Sequence, residues 1–168
     1  MLPGLPFANM SHLGWAVRDL DKTIKTFEDL GLGPWRRYML GETGAGHDFE
    51  NRDYEGGMEQ RAKVALGRWG AIIIELFEPI YMPIVDKFLE TKGEGIWHFG
   101  YAVSREQFDA TLAEVKKKGI EVIGQAQYKN GVRMAFLDPS KTGGIVFQLH
   151  DCTPEMEDIF DTIGMMVG

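Results

Sequence analysis

The chain has 168 residues, 44% of them hydrophobic and 26% charged, and a net charge of −7. That length suits one well-cored domain or two small modules sharing a core, and the acidic balance argues against a nucleic-acid partner. The single cysteine, Cys152, excludes an internal disulfide and fits a reducing compartment. Without an apolar run of roughly 20 residues or a signal-peptide pattern, the sequence predicts a cytoplasmic protein that does not associate with membranes.

The first predicted elements are a strand, a helix and three further strands. The strand is HLGWAV at 12–17, and RDLDKTIKTFEDLGLG at 18–33 is typical of an amphipathic helix capped by Asp19. A glycine-rich, acidic loop at 41–57 is too long to serve only as a connection. The three strand-like segments are 34–40, 59–67 and 71–79.

The second half of the chain repeats this order. HFGYAV at 98–103 matches HLGWAV at an offset of 86, so that His98 corresponds to His12. SREQFDATLAEVKKKGIEV then predicts a second helix with a capping box formed by Ser104 and Gln107. The strand-like segments that follow are 120–126, 131–139 and 143–150.

This repeat predicts an α+β fold made of two βαβββ modules within one domain spanning 1–168. Module one covers 9–79 and module two covers 96–151. The linker between them, 80–95, is expected to contain a short helix. A last helix is predicted over 153–166, where Thr153 caps and Pro154 takes the first helical position.

The two repeated strands each combine a histidine with small residues on one face. Because strand side chains alternate between faces, His12 shares its face with Gly14 and Ala16, and the second copy repeats this arrangement. The bulky residues of the opposite face should pack against the helices. We expect the small residues to leave open space in front of the histidines, as a pocket requires.

Four polar residues stand at matching points of the two repeats. Glu75 interrupts the apolar strand IIIELF, Gln148 interrupts IVFQL, and His12 and His98 open the repeated strands. A carboxylate buried without a partner is costly, so Glu75 needs a cation, a metal ion or solvent. The four residues therefore predict a metal site, and their donor atoms suit a divalent ion such as Co, Ni, Zn, Mn or Fe. His150, on the same strand face as Gln148, is an alternative or additional ligand.

Several segments resemble the vicinal oxygen chelate superfamily, and within it the methylmalonyl-CoA epimerases. They are HLGWAVRDLDKTIKTFED, IELFEP, FLETKGEGIWHFGYAV and FLDPSKTGGIVFQL, and the resemblance covers residues 9–151. It implies that the two modules pair into a cupped mixed sheet around a metal site, with helices on the outer face. It also implies a homodimer and a small-molecule substrate.

The ligand order departs from that of the epimerases, which is His, Gln, His, Glu. Here it is His, Glu, His, Gln, and exchanging the modules about the pseudo-twofold axis would make Glu75 the carboxylate beside the substrate and the first candidate for the catalytic base. Lys63 stands where the epimerases have a second acid–base residue, and Arg133 is its counterpart in module two. Both are expected either to bind an anionic substrate group or to be ordinary surface positions. Trp35 is expected to line the pocket, although core packing would explain Trp35 equally well.

The resemblance implies a metal-dependent isomerase, epimerase or lyase that acts through a metal-stabilised enolate on a small organic acid or acyl-CoA. Two alternatives stay open: an Fe(II) ring-cleaving dioxygenase, and a metal-free small-molecule binding protein of the resistance type. Further candidates for the general base lie in the long loop; they are His47, Asp48, Glu50, Asp53 and Glu55.

Overall fold

The computed structural model describes residues 10–40, 49–50, 61–128 and 133–151. Within those ranges, no helix is long and apolar enough to cross a membrane. The three helices are α1 (Leu20–Asp29), α2 (Pro83–Lys92) and α3 (Phe108–Lys117). The strands are β1 (Met10–Ala16), β2 (Trp35–Leu40), β3 (Phe49–Glu50), β4 (Arg61–Trp69), β5 (Ile72–Tyr81), β6 (Gly95–Val103), β7 (Val122–Tyr128), β8 (Arg133–Leu137) and β9 (Val146–Asp151).

The described strands form one mixed sheet in the order β2-β4-β5-β1-β6-β9-β8-β7-β3. At its centre, β1 and β6 pair antiparallel and join the two modules; β5 runs parallel to β1, and β9 parallel to β6. The predicted α+β class and the repeated βαβββ order are therefore confirmed. The two-residue strand β3 was not expected, and it pairs with β7 at the edge opposite β2. The rest of the long loop and the predicted helix over 153–166 lie outside the described residues.

The strand pairing places equivalent residues of the two repeats at equivalent positions in the sheet. His12 lies opposite Gly100 on the neighbouring strand, and His98 lies opposite Gly14. Gly14 is in turn the partner of Glu75 on β5, as Gly100 is the partner of Gln148 on β9. An approximate twofold axis between β1 and β6 therefore relates the four predicted ligands in two equivalent pairs.

Gly14 and Gly100 leave room for the histidine rings of the opposite module. A Cβ added at Gly14 would stand 1.9 Å from Cε1 of His98, and one added at Gly100 would stand 2.1 Å from Cε1 of His12. The space beside the small residues is thus filled by imidazole rings, which corrects the expectation that it stays open. The pairing of distant strands brings these rings together, so the local sequence did not reveal it.

The helices form two layers around the sheet. On the outer face, α1 and α3 pack against the bulky residues of the repeated strands, as expected; Trp15 and Val17 contact the α1 cluster, and Tyr101 and Val103 the α3 cluster. The linker helix α2 lies instead on the inner face, the face that carries the histidines. There its apolar residues join a core cluster with Ala16.

The starts of the two outer helices differ. Asp19 caps α1 as predicted, because its side chain accepts a hydrogen bond from the backbone N–H of Lys22. The predicted capping box of the second helix is wrong. The Ser104 carbonyl accepts a hydrogen bond from the Gln107 N–H within a preceding turn, and α3 begins only at Phe108.

Two equivalent ion pairs join the sheet to the outer helices. Lys63 Nζ on β4 lies 2.6 Å from Glu78 Oε1 on β5, and the other oxygen of Glu78 accepts the Leu20 N–H at the start of α1. On the second module, Arg133 Nε donates to Asp151 Oδ2 at 2.9 Å, and its NH1 nitrogen donates to Asp109 at the start of α3. Asp151 is fully buried, whereas Lys63 is 42% exposed.

We expect Asp151→Asn to lower the free energy of unfolding by about 2–4 kcal/mol, because it leaves the Arg133 guanidinium without its buried counter-charge. Lys63→Met removes the equivalent exposed pair and should cost less, since water screens it. Urea unfolding of both variants measures the difference. Equal losses would contradict the assignment of the buried pair as the stronger one.

Gly14→Ala should destabilise the fold by about 2–3 kcal/mol, because the new methyl group overlaps the His98 ring. Gly31→Ala is the control: Gly31 has a φ of 83° with nothing near its Cβ position, so it should cost about 1 kcal/mol of backbone strain. Urea unfolding measures both. A Gly14→Ala loss no larger than that of the control would show that the ring is not seated there.

Candidate metal centre

The residue before each histidine is the extra residue of a β-bulge. The β1–β6 register shifts once between Met10 and His12 and again between Gly14 and Trp15. The extra residues are Ser11 on β1 and Trp97 on β6, which are equivalent under the offset of 86. A bulge lets two successive side chains leave the same face of a sheet, so Ser11 and Trp97 accompany the histidines on the inner face. Simple alternation along the strands did not predict this.

Three side chains of the predicted set converge on one point. His12 Nε2 lies 3.0 Å from His98 Nε2 and 3.1 Å from Glu75 Oε2, and His98 Nε2 lies 3.6 Å from the same oxygen. The two rings meet edge to face, with centroids 5.2 Å apart. Among the described residues, these three form the group of histidine and acidic side chains whose donor atoms could hold a metal ion. We call them the metal triangle.

The dimensions of the metal triangle suit a divalent ion. A point equidistant from three atoms at these separations lies about 1.9 Å or more from each, close to the roughly 2.0–2.2 Å at which Zn²⁺ binds imidazole nitrogen and carboxylate oxygen. Two histidines and one carboxylate are also a donor set common to first-row transition metals. The three residues therefore fit such an ion in both spacing and chemistry.

The protonation states at the site favour cation binding. Burial raises the pKa of the Glu75 carboxyl, but its electrostatic and hydrogen-bonding interactions with His12 and His98 outweigh that effect and bring the pKa to about 2. Burial lowers the pKa of His98 to about 4. Near neutral pH, Glu75 is therefore a carboxylate and His98 a neutral imidazole, which are the forms that bind metal ions.

Gln148 supplies a fourth oxygen on the inner face. Its side chain is 3% exposed, its Nε2 donates to Met134 Sδ at 3.7 Å, and its Oε1 has no hydrogen-bond partner among the described residues. A buried acceptor left unpaired costs about 1–3 kcal/mol, so this oxygen calls for a cation or a donor. Its position equivalent to Glu75 makes it the candidate fourth ligand.

Access to the site is from the side of Glu75. The Glu75 side chain is 15% exposed, whereas His98 is fully buried and the other members are nearly so. The inner-face cluster around α2 covers the neighbouring surface with apolar side chains. A substrate would therefore reach the metal triangle beside the Glu75 carboxylate.

The structure does not bring the three expected substrate-binding residues to the metal triangle. Lys63 and Arg133 lie on the outer face, where the ion pairs described above hold them. Trp35 lies there too, with its ring on Phe27 and against Gly67. This corrects their expected placement, because the face that a side chain takes on β4 or β8 depends on the register with neighbouring strands.

The base candidates of the long loop fall largely outside the described residues. These are His47, Asp48, Asp53 and Glu55. Glu50 belongs to β3, where its backbone pairs with Gln127 on β7.

Comparisons with known proteins agree with this architecture. The profile of the glyoxalase/bleomycin resistance protein/dioxygenase superfamily matches residues 11–136. The uncharacterized protein YqjC of Bacillus subtilis (strain 168) is 31% identical over 102 residues, which are 58% of this chain and 69% of that protein.

Solved structures share the fold. The hypothetical protein BH1468 from Bacillus halodurans C-125 is 25% identical, with a TM-score of 0.58 over 86% of this chain and 94% of that one. Methylmalonyl-CoA epimerase from Mycobacterium tuberculosis is 22% identical, with a TM-score of 0.63 over 94% and 96%. The Streptomyces coelicolor epimerase in complex with 2-nitronate-propionyl-CoA is 21% identical, with a TM-score of 0.56 over 87% and 95%.

The likeness to the two epimerases is one of fold. The family profile, in contrast, covers most of the chain, including both histidine strands and Glu75. The chain therefore belongs to the glyoxalase/bleomycin resistance protein/dioxygenase superfamily.

Proposed function

We propose that the protein is a divalent-metal-dependent enzyme that transfers a proton at a carbon next to a carbonyl group, as isomerases, epimerases and some lyases do. The observation that carries the proposal is the metal triangle: three donor atoms from three strands within 3.6 Å of one another. His12, Glu75 and His98 would hold the ion, with Gln148 as the fourth ligand. A divalent ion bound there polarises a substrate carbonyl and stabilises the negative charge of an enolate.

Glu75 is the first candidate for a catalytic residue as well as a ligand. Its Oε2 belongs to the metal triangle and is buried, although the side chain as a whole is 15% exposed. The lowered pKa of its carboxyl keeps Glu75 ionised, which suits a ligand but makes it a weak base. Within the described ranges, no second carboxylate joins the site.

The described residues bring one acid–base group, Glu75, to the site, and a single group favours some reactions over others. It can remove a proton and return it on the same face, which serves isomerisation and proton exchange, whereas inversion needs a donor on each face. Gln148 cannot supply the second proton because an amide does not titrate near neutral pH. We therefore infer isomerase-type proton transfer on a small organic acid or acyl-CoA; the two epimerases with this fold, one of them in complex with a CoA derivative, make acyl-CoA the first class to test.

A ring-cleaving Fe(II) dioxygenase is the second candidate. Two histidines and one carboxylate with further positions open to ligands are the donor set of many non-haem iron oxygenases. The metal triangle has that composition. Oxygen uptake with a catechol by the Fe(II)-loaded protein would favour this candidate over proton transfer.

We expect the protein to retain about one divalent ion per chain after reconstitution with Co²⁺, Ni²⁺, Zn²⁺, Mn²⁺ or Fe²⁺ and gel filtration, measured by mass spectrometry. His12→Ala and His98→Ala should each abolish retention, because each removes a vertex of the metal triangle. Lys63→Met, which changes a residue that the ion pair with Glu78 holds on the outer face, should retain the metal. Wild-type protein that binds none of the five ions would contradict the proposal and favour a metal-free binding protein.

Because Glu75 and Gln148 occupy equivalent positions in the two modules, we expect a carboxylate at either position to bind the ion. Glu75→Gln should weaken Co²⁺ binding strongly, because it removes the negative ligand. The double variant Glu75→Gln/Gln148→Glu should recover most of the affinity, since the two positions are equivalent in register. Calorimetric titration with Co²⁺ compares them, and a double variant no better than the single one would show that Gln148 does not face the ion.

Solvent exchange tests the reaction class. Metal-loaded protein in D₂O should place deuterium on the carbon next to the carbonyl of propionyl-CoA, methylmalonyl-CoA or pyruvate. NMR of the substrate measures this exchange. His98→Ala should lose this activity. Exchange with retention at the stereocentre of methylmalonyl-CoA supports one base, whereas inversion would require a second acid–base group and contradict the single-base account.

A further inference from the structure

Ser11 lies between two histidines of the inner face. Its Oγ is 3.0 Å from His12 Nδ1 and 2.7 Å from Nε2 of His150, a residue 139 positions away on β9. His150 is 1% exposed, and its ring centroid is 5.4 Å from that of His12. The bulge of β1 is what turns Ser11 towards both rings. The three side chains form a continuous hydrogen-bonded chain, with both histidines buried and Ser11 partly buried, that ends on a proposed metal ligand.

We propose that Ser11 and His150 are positioning residues that fix the tautomer and the ring orientation of His12 for metal binding. The inference rests on the metal site proposed above. A neutral imidazole that binds an ion through Nε2 carries its proton on Nδ1. His12 Nδ1–H then donates to Ser11 Oγ, and the Ser11 hydroxyl donates in turn to His150 Nε2.

The same hydrogen bonds identify His150 as a residue that supports His12, and not as a ligand of the ion. The lone pair of His150 Nε2 is taken up by the Ser11 hydroxyl at 2.7 Å, so that nitrogen does not also bind a metal. The group of donor atoms that lie within 4.8 Å of one another contains His12, Glu75 and His98 but not His150. Of the two alternatives for the fourth ligand, this leaves Gln148.

His98 is held by different means. The position equivalent to Ser11 in the second module is Trp97, whose ring stands edge-on to His98 with centroids 4.5 Å apart. Phe77 contacts the same imidazole from another side at 5.7 Å. The Nδ1 of His98 has no hydrogen-bond partner among the described residues. Packing thus orients His98, whereas hydrogen bonds orient His12. The two ligands are related by the twofold axis, but the residues that support them are not.

The test measures Co²⁺ affinity by competition with a chromophoric chelator, together with the visible spectrum of the bound ion. Ser11→Ala should weaken binding about 10–100-fold, the effect typical of losing a hydrogen bond behind a ligating histidine. Ser11→Thr keeps the hydroxyl and should stay within about threefold of wild type. His150→Leu should also weaken binding, because the Ser11 hydroxyl loses its acceptor, and His150→Gln should restore part of the loss.

Two controls separate positioning from a general loss of structure. Ser140→Ala makes the same change at an exposed turn between β8 and β9 and should leave Co²⁺ affinity unchanged. The thermal midpoint of metal-free Ser11→Ala should fall by only a few degrees, the cost of removing the Ser11 partner from two buried ring nitrogens, with unfolding still cooperative. Unchanged Co²⁺ affinity in Ser11→Ala, or an equal loss in Ser11→Thr, would overturn the inference while leaving the metal site itself intact.

Ring-nitrogen NMR of metal-free protein keeps the inference testable even if no metal binds. The chain has only four histidines, so their ¹⁵N resonances can be assigned by substitution. Ser11→Ala should shift the resonances of both His12 Nδ1 and His150 Nε2, because both lose the same partner. Such shifts in a protein that binds no Co²⁺ would refute the proposed function but confirm the chain of hydrogen bonds; unshifted resonances would refute the chain.

Discussion

The close approach of two imidazoles across the seam between β1 and β6 is the contact on which the rest of the structure depends. His12 and His98 each lie over a glycine of the opposite module, and their Nε2 atoms are 3.0 Å apart. Two buried nitrogen lone pairs at that distance repel one another unless a proton or a cation lies between them. The carboxylate of Glu75, 3.1 Å from His12, supplies the negative charge that a cation there requires. The residues that meet between β1 and β6 therefore also form the candidate metal site.

The outer layer holds this seam in register without entering the site. The ion pairs of Glu78 and Asp151 tie the strands beside the seam to the starts of α1 and α3. On the inner face, α2 covers the apolar end of the sheet and leaves the approach beside Glu75. The two ion pairs therefore lie on the outer side of the sheet, whereas the donor atoms lie on the inner side, beside the apolar cluster that includes α2.

The sequence predicted the repeat and the order of strands and helices along the chain, because each is a local pattern repeated at a fixed offset. Of the four polar residues that it singled out, the structure brings His12, Glu75 and His98 together. The bulges at Ser11 and Trp97 could not be predicted, since they exist only in the pairing of β1 with β6. The same limit explains why Lys63 and Arg133 were expected at the site although they lie on the outer face. A strand's own sequence shows which side chains alternate, but its pairing with neighbouring strands decides which face is the inner one. The offset of 86 does relate Ser11 to Trp97, and that is the one sequence signal that could have drawn attention to them.

The central claim is that a divalent ion binds between the two modules with ligands from both. X-ray absorption spectroscopy at the cobalt or zinc edge of the loaded protein tests it most directly. The account predicts two imidazole scatterers and oxygen ligands at about 2.0–2.2 Å, with one imidazole contribution lost in His98→Ala. A first shell of oxygen alone, unchanged by that substitution, would contradict it and show that the histidines meet for another reason.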